Sequence, residues 1–254
     1  MSSPEDRSDE DRSGPIAWLR WFATTEEGTA AYVRDVLTSA GAVVLVGLVL
    51  FGVSGIWPPM VAVESPSMTP HMKTGDLVFV MEEHRFAADA AVEGTGVVTT
   101  QVGERVNYGK FSQPGDVVVY RPDGSGLETP IIHRARFWVE DGENWYEEAN
   151  PAFLAGADDC EELANCPAPH AGFVTKGDAN PQYDQVGEAS AISEPVRPSW
   201  VIGTAEFRIP WLGWIRLAVS EAAGATVVAA NVGGSIGAGA GVLAVGATDT
   251  RPVT

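Results

Sequence analysis

Pro130-Ile-Ile-His-Arg-Ala-Arg-Phe-Trp-Val139 is an apolar run with the length and composition of a β-strand, and it sets the reading of its surroundings. Four more runs share its character: LVFV at 77–80, DVVVY at 116–120, GFVTKG at 172–177 and VIGTAEFRI at 201–209. Gly-Asp, Pro-Gly-Asp and Pro-Asp-Gly punctuate them as turns. No helical period is sustained between them. The expected fold is therefore mostly β, a β-rich domain over residues 58–215. Within it, residues 84–112, with Gly94, Gly96, Gly103 and Gly109, read as a long hairpin or surface insertion.

Toward the N-terminus the pattern changes. No charged residue occurs from Val36 to Val63, and the core of this stretch, AGAVVLVGLVLFGVSGIW at 40–57, is long enough to cross about 30 Å of hydrocarbon. Residues 36–57 are expected to form a transmembrane helix, with Trp57 at the interface and Pro58-Pro59 ending it. The run starts too late and is too long for a cleavable signal peptide. Residues 1–14 are charged and Ser-rich, as in a disordered tail. Residues 15–35 carry Trp18, Leu19, Trp21, Phe22, Tyr32 and Val33, and read either as an interfacial amphipathic helix or as a juxtamembrane extension of the span. At the other end, residues 222–248 are free of charge, with Gly233, Gly237 and Gly241 at the spacing that lets membrane helices pack closely. A second span is expected there, with a flexible Gly/Ala tail as the alternative. Arg20 and Arg34 before the first span, against Lys73 after it, favour a cytoplasmic N-terminus and an extracytoplasmic domain. Arg208 and Arg216 before the second segment pull the other way, but the first helix usually dominates.

The net charge is −18, from 34 acidic and 16 basic residues. A field of that sign disfavours nucleic acid, whose capture needs Lys and Arg on phosphates. It equally disfavours anionic lipid heads, so attachment to a lipid bilayer must be hydrophobic. Adaptation to high salt is one reading of the acidity, and an acidic protein in an ordinary medium is the other. Cys160 and Cys166 lie in an acidic, Pro-containing loop without the spacing of a metal site, which leaves a small-loop disulfide or two free thiols. No metal or cofactor is expected.

Chemistry concentrates in Val63-Glu-Ser-Pro-Ser-Met-Thr-Pro70. In an extended chain Ser65 and Ser67 point to one side, so one hydroxyl can attack a carbonyl while the other donates to the oxyanion. Of His71, His84, His133 and His170, only His133 sits inside a strand-like run, where a general base is held in place. Thr175-Lys-Gly-Asp-Ala-Asn-Pro-Gln-Tyr-Asp184 supplies two carboxylates, Asp178 and Asp184, either of which can orient an imidazole. Taken singly, each feature also has a bland reading, as linker serines, a satisfied core histidine or turn aspartates.

Taken together and in order, Ser-Pro-Ser-Met-Thr-Pro, Gly-Asp-Leu-Val, Pro-Gly-Asp-Val-Val, Ile-Ile-His-Arg and Thr-Lys-Gly-Asp-Ala-Asn resemble type I signal peptidase across about residues 65–185. More narrowly they resemble its archaeal and endoplasmic-reticulum branch, in which a His stands where the bacterial enzymes have a Lys. The resemblance implies a signal-peptidase-like β-rich catalytic domain at the membrane surface. It implies Ser67 as nucleophile, His133 as base, Asp178 and Asp184 as the acidic pair, and Ser65 at the oxyanion site. It further implies a serine endopeptidase whose partners are the signal peptides of secretory preproteins, with the protein translocation machinery nearby. The family often has paired aspartates where this chain has Tyr183-Asp184-Gln185. A Ser/Lys enzyme using Lys110 or Lys176, a serine protease with other membrane substrates and a non-catalytic membrane-tethered β module are the rival readings.

Overall fold

The computed structural model describes residues 14–24, 28–187 and 191–218. The second-span expectation at 222–248 and nearly all of the N-terminal tail lie outside these residues. In chain order the elements are α1 (Pro15–Thr24), α2 (Gly28–Ser54), β1 (Met60–Ala62), β2 (Leu77–Met81), α3 (Thr100–Val106), β3 (Gly109–Lys110), β4 (Gln113–Pro114), β5 (Val117–Tyr120), β6 (Ile131–Val139), β7 (Gly172–Lys176) and β8 (Val201–Ile209). All five expected strands are present.

Among the described residues, α2 is the helix long and apolar enough to cross a membrane. Its 27 residues reach about 40 Å. Its most apolar stretch has a mean hydropathy of 2.5, and none of that stretch is buried in the protein. Tyr32 and Val33 belong to this helix, whereas Trp18, Trp21 and Phe22 fall in the separate α1. The helix stops at Ser54, ahead of the two prolines. Gly55 turns left-handed (φ +82°) and its N–H bonds the Phe51 carbonyl at 2.8 Å, a glycine-type C-terminal stop. The sheet domain then caps the helix end. Arg85 donates to the carbonyls of Gly52 and Val53, and the Glu82 N–H donates to Ser54 O at 2.9 Å. A side chain on Gly55 would meet the Arg85 Nε at 3.0 Å, so this joint needs glycine. Trp57 folds back to set its ring edge-on to Phe51, with centroids 6.2 Å apart.

Six strands form one antiparallel sheet in the order β1-β2-β8-β5-β6-β7, and β3 and β4 make a separate two-residue hairpin. Strand alternation divides the apolar side chains between two sides. Val117 and Val119 of β5 join Val78, Val80, Ala205, Val63, Met68 and Met72 in one cluster. Val118 and Tyr120 join Val97, Ala135, Phe173, Val196 and Val201 in another.

One region differs from the sequence reading. Residues 84–112 are not one long hairpin or surface insertion; of them only β3, at the end, joins a hairpin, the short one with β4. Val97, Val98, Thr99 and Thr100 are buried, and Thr99 caps the short helix α3. The acidic stretch 140–170 closes its own cluster, in which Trp145, Leu154, Leu163 and Ala168 pack on Phe137, Val174 and Tyr183. Cys160 and Cys166 sit in that cluster as a disulfide with Cα atoms 5.1 Å apart, which decides between the two readings of the pair. Closing so short a loop restricts the unfolded chain by about 2 kcal/mol. Replacing both cysteines with alanine is expected to lower unfolding stability by about that amount, measured by denaturant titration with and without reductant. An unchanged midpoint in both arms would mean that the bridge contributes nothing.

Candidate active site

The Ser67 loop is built around two methionines. Met68 and Met72 are fully buried against the β2–β5 cluster, four residues apart on one tight turn closed by Met72 N–H to Met68 O at 2.9 Å. With these two anchored inward, Ser65 is left exposed and Ser67 partly so. Their Oγ atoms are 3.0 Å apart. The extended-chain argument placed the two hydroxyls side by side, and they are so, although the local backbone is a bend and turn.

The far side of the loop rests on the turn after β7. Ala179 N–H donates to Ser67 O at 2.8 Å. A Cβ on Gly177 would lie 2.8 Å from that same carbonyl oxygen. Gly177 matters for where this puts Ser67. Arg134 of β6 pairs with Lys176 of β7, the last pair of this ladder, so Gly177 and His133 are the chain neighbours of that pair on the two strands. The serine loop therefore meets the end of β7 beside the strand that carries the histidine. Gly177→Ala is expected to push the loop outward, because the obstacle is backbone on one side and the Asn180 side chain on the other. If the turn positions a reacting hydroxyl, activity should fall by about 10²-fold, since displacement of about 1 Å costs that much. Steady-state rates of the variant check this, and a rate equal to wild type would remove Gly177 from the account.

His133 is 4% exposed on β6. Its Nδ1 lies 2.6 Å from Asp184 Oδ2. That same oxygen accepts from Thr175 Oγ1 at 2.7 Å and from Tyr120 OH at 3.0 Å. Three donors thus converge on one carboxylate oxygen. Asp184 Oδ1 is buried without a partner among the described residues. Burial, and next the Asp184 charge, push the Tyr120 hydroxyl well above its ordinary value, so it remains a donor. With Nδ1–H directed to the carboxylate, the Nε2 lone pair of His133 has no hydrogen-bond partner among the described residues. Ser67 Oγ and His133 are not hydrogen-bonded in this structure; the serine hydroxyl is turned to Ser65.

Asp178 has a different set of neighbours. Arg134 holds it with two bonds of 2.8 Å, Nε to Oδ1 and Nη2 to Oδ2, and His71 Nδ1 lies 2.9 Å from Oδ2. Burial raises its pKa, but the Arg134 hydrogen bonds and charge, helped by His71, outweigh it and hold the carboxyl below the usual range. Of the two aspartates, then, Asp184 orients His133 and Asp178 pairs with Arg134 and His71. Lys176 is also buried, and donates to the carbonyls of Gly177 (2.9 Å) and Asn180 (2.7 Å), bracing the turn. Burial, and next the Arg136 charge, lower its ammonium pKa. Lys110 is engaged with Glu206 at 2.5 Å. Among the described residues the cluster of metal-ligand type is Glu82, Glu83 and His84, at the surface of the α2 joint.

Sequence reasoning missed Tyr120, Thr175, Arg134 and His71. Tyr120 and Thr175 carry a signal only in retrospect, as polar atoms inside apolar strand runs. The Arg134–Asp178 pair left none, because it joins residues 44 apart.

No family model matches the chain. Over 164 residues it is 27% identical to the signal peptidase complex catalytic subunit sec11 of Schizosaccharomyces pombe, an overlap covering 64% of this chain and 68% of that protein.

Proposed function

We propose that the protein is a membrane-bound serine endopeptidase that cleaves signal peptides from exported preproteins, of the Ser/His/Asp type found in the archaeal and endoplasmic-reticulum enzymes. The carrying observation is the juxtaposition at the end of β7. The Ser67 carbonyl is fixed to Ala179 beside Gly177, the residue after the last β6–β7 pair (Arg134 with Lys176), and His133, the neighbour of Arg134, is buried on Asp184. The similarity to sec11, over about two-thirds of each chain, supports the same reading.

In this mechanism Ser67 Oγ rotates from Ser65 to His133 Nε2 as substrate enters, and attacks the scissile carbonyl while Nε2 takes its proton. Asp184 stabilises the imidazolium, and Thr175 and Tyr120 stabilise Asp184. The Ser67 N–H and the Ser65 hydroxyl receive the oxyanion. The imidazolium protonates the leaving amine. Water, deprotonated by His133, then hydrolyses the acyl-enzyme and regenerates Ser67.

The membrane supports the choice of substrate. About ten residues separate Trp57 from Ser67, a reach of at most about 33 Å, so the serine stays near the end of α2. Trp211, Trp214 and Ile215 are exposed just beyond β8, and Arg216 donates to the Met60 carbonyl of β1, so these apolar side chains gather at the edge next to the helix end. With α2 in a bilayer, aromatic side chains there suit the interface. Enzyme and signal peptide would share one surface, which raises their effective concentration. The disulfide fits a domain on the extracytoplasmic side, where thiols oxidise. Incubation of a model preprotein with membranes carrying the full chain, at low and high salt, tests the proposal. Mature protein with a new N-terminus after a small-residue cleavage site is expected. An intact preprotein in both salts, with the chain shown to be folded, would refute it.

A further inference from the structure

Asp178 touches both halves of the proposed catalytic machinery without belonging to either. Arg134, which grips it from one side, is the chain neighbour of His133. His71, which grips it from the other, lies four residues beyond Ser67 on the same methionine-anchored turn. Arg134 is immobile: its side chain is fully buried, and its Nη1 also donates to the carbonyls of Lys110 and Gly115 at 3.1 and 3.0 Å. The Asp178 side chain is 5% exposed and that of His71 only 18%. His71 Nε2 faces the Gln113 amide at 3.4 Å, so the ring is held at both nitrogens. The Asp178 N–H also points at Met68 Sδ, 3.4 Å away, inside the serine turn.

We infer that His71 is a positioning residue. Through Asp178 and Arg134 it locks the Ser67 turn at a fixed offset from the β6 strand that carries His133. This rests on the peptidase reading above. The geometry has a specific logic. The Ser67 turn is otherwise fastened by Met68 and Met72, which are flexible and apolar and fix its depth better than its lateral position, and by the single bond from Ala179 N–H to the Ser67 carbonyl. A charge-assisted bond from a nearly buried imidazole to a carboxylate held bidentately by arginine supplies that direction. Losing it should leave substrate binding intact and loosen the alignment of Oγ with Nε2, which lowers kcat and spares KM.

The test uses the full-length chain in membranes or lipid nanodiscs, with a purified preprotein, comparing wild type, Ser67→Ala, His71→Ala and His71→Asn. Asparagine keeps an N–H able to reach Asp178, whereas alanine does not. His71→Ala is expected to lower kcat by about 10-fold or more with KM within about twofold, and His71→Asn to recover to within about threefold of wild type. A wild-type kcat in His71→Ala overturns the inference, as does a His71→Asn variant that melts like wild type yet is as slow as alanine. If His71→Ala proves unstable, His71→Leu, which fills the site without an N–H, takes its place in the comparison with His71→Asn. The parent reading fails separately, by absence of cleavage in wild type or its persistence in Ser67→Ala.

Discussion

Ser67→Ala is expected to reduce preprotein cleavage by about 10⁴-fold or more while leaving the fold unchanged. The structural tie of residue 67 is its main-chain carbonyl, which accepts from Ala179 N–H, and alanine keeps it. Among the described residues, the side-chain bond lost is the one to Ser65, on the exposed side of the loop. A partly exposed position with no buried partner changes stability by about 0.5 kcal/mol or less. A large loss of rate at constant melting temperature therefore separates chemistry from folding. Ser65→Ala provides the graded comparison. If its hydroxyl meets the oxyanion, its loss should cost about 10²–10³-fold. Should Ser67→Ala retain more than a tenth of wild-type activity, the nucleophile lies elsewhere.

Asp184→Asn is the second large effect, with a fall of about 10³–10⁴-fold in kcat. The substitution is nearly isosteric, but His133, Tyr120 and Thr175 all meet the same atom, Oδ2, so an NH₂ turned to Nδ1 also takes the acceptor from both hydroxyls. What changes for the chemistry is the proton on the imidazole. A carboxylate at 2.6 Å from Nδ1 demands N–H there and leaves Nε2 free as the base. An amide can turn its NH₂ toward Nδ1 and stabilise the opposite tautomer, whose Nε2 carries hydrogen and cannot accept from Ser67. Imidazole ¹⁵N shifts of labelled wild type and variant would report the exchange of tautomers directly. Asp178→Asn would leave this tautomer unchanged, because Asp178 does not touch His133. If the two aspartate variants shift the His133 resonances equally, the division of labour between them is wrong.

The strands were legible because each is a dense apolar run between Gly- or Pro-containing turns, a pattern that burial on both sides of a sheet requires. Strand β1 was not, since Met60–Ala62 is too short to stand out beside the apolar span that precedes it. Residues 84–112 misled for a related reason. Their glycines suggested an exposed hairpin, yet Gly103 is there because α3 presses on the backbone of Gly115, where a Cβ would lie 2.5 Å from the amide nitrogen. The site was legible as a set of candidates but not as a network. Ser65, Ser67 and His133 stand out by residue type and local context. Which aspartate serves the histidine depends on how the 177–184 turn wraps the end of β7, and that is a property of the folded sheet. The pairing of Cys160 with Cys166 was likewise open, because spacing alone does not show whether the intervening loop brings the sulfurs together.

The joint between α2 and the sheet carries a further consequence. Helix and domain are not strung together by slack chain. Arg85 and Glu82 bind the last carbonyls of the helix, and Gly55 turns the chain within one residue. With α2 in a bilayer, an anchor mounted in this way would make the bilayer a datum plane, from which the serine stands at a set height. Precursors would then be sorted by a length as well as by side-chain identity: the number of residues between the end of their lipid-buried stretch and the bond to be cut.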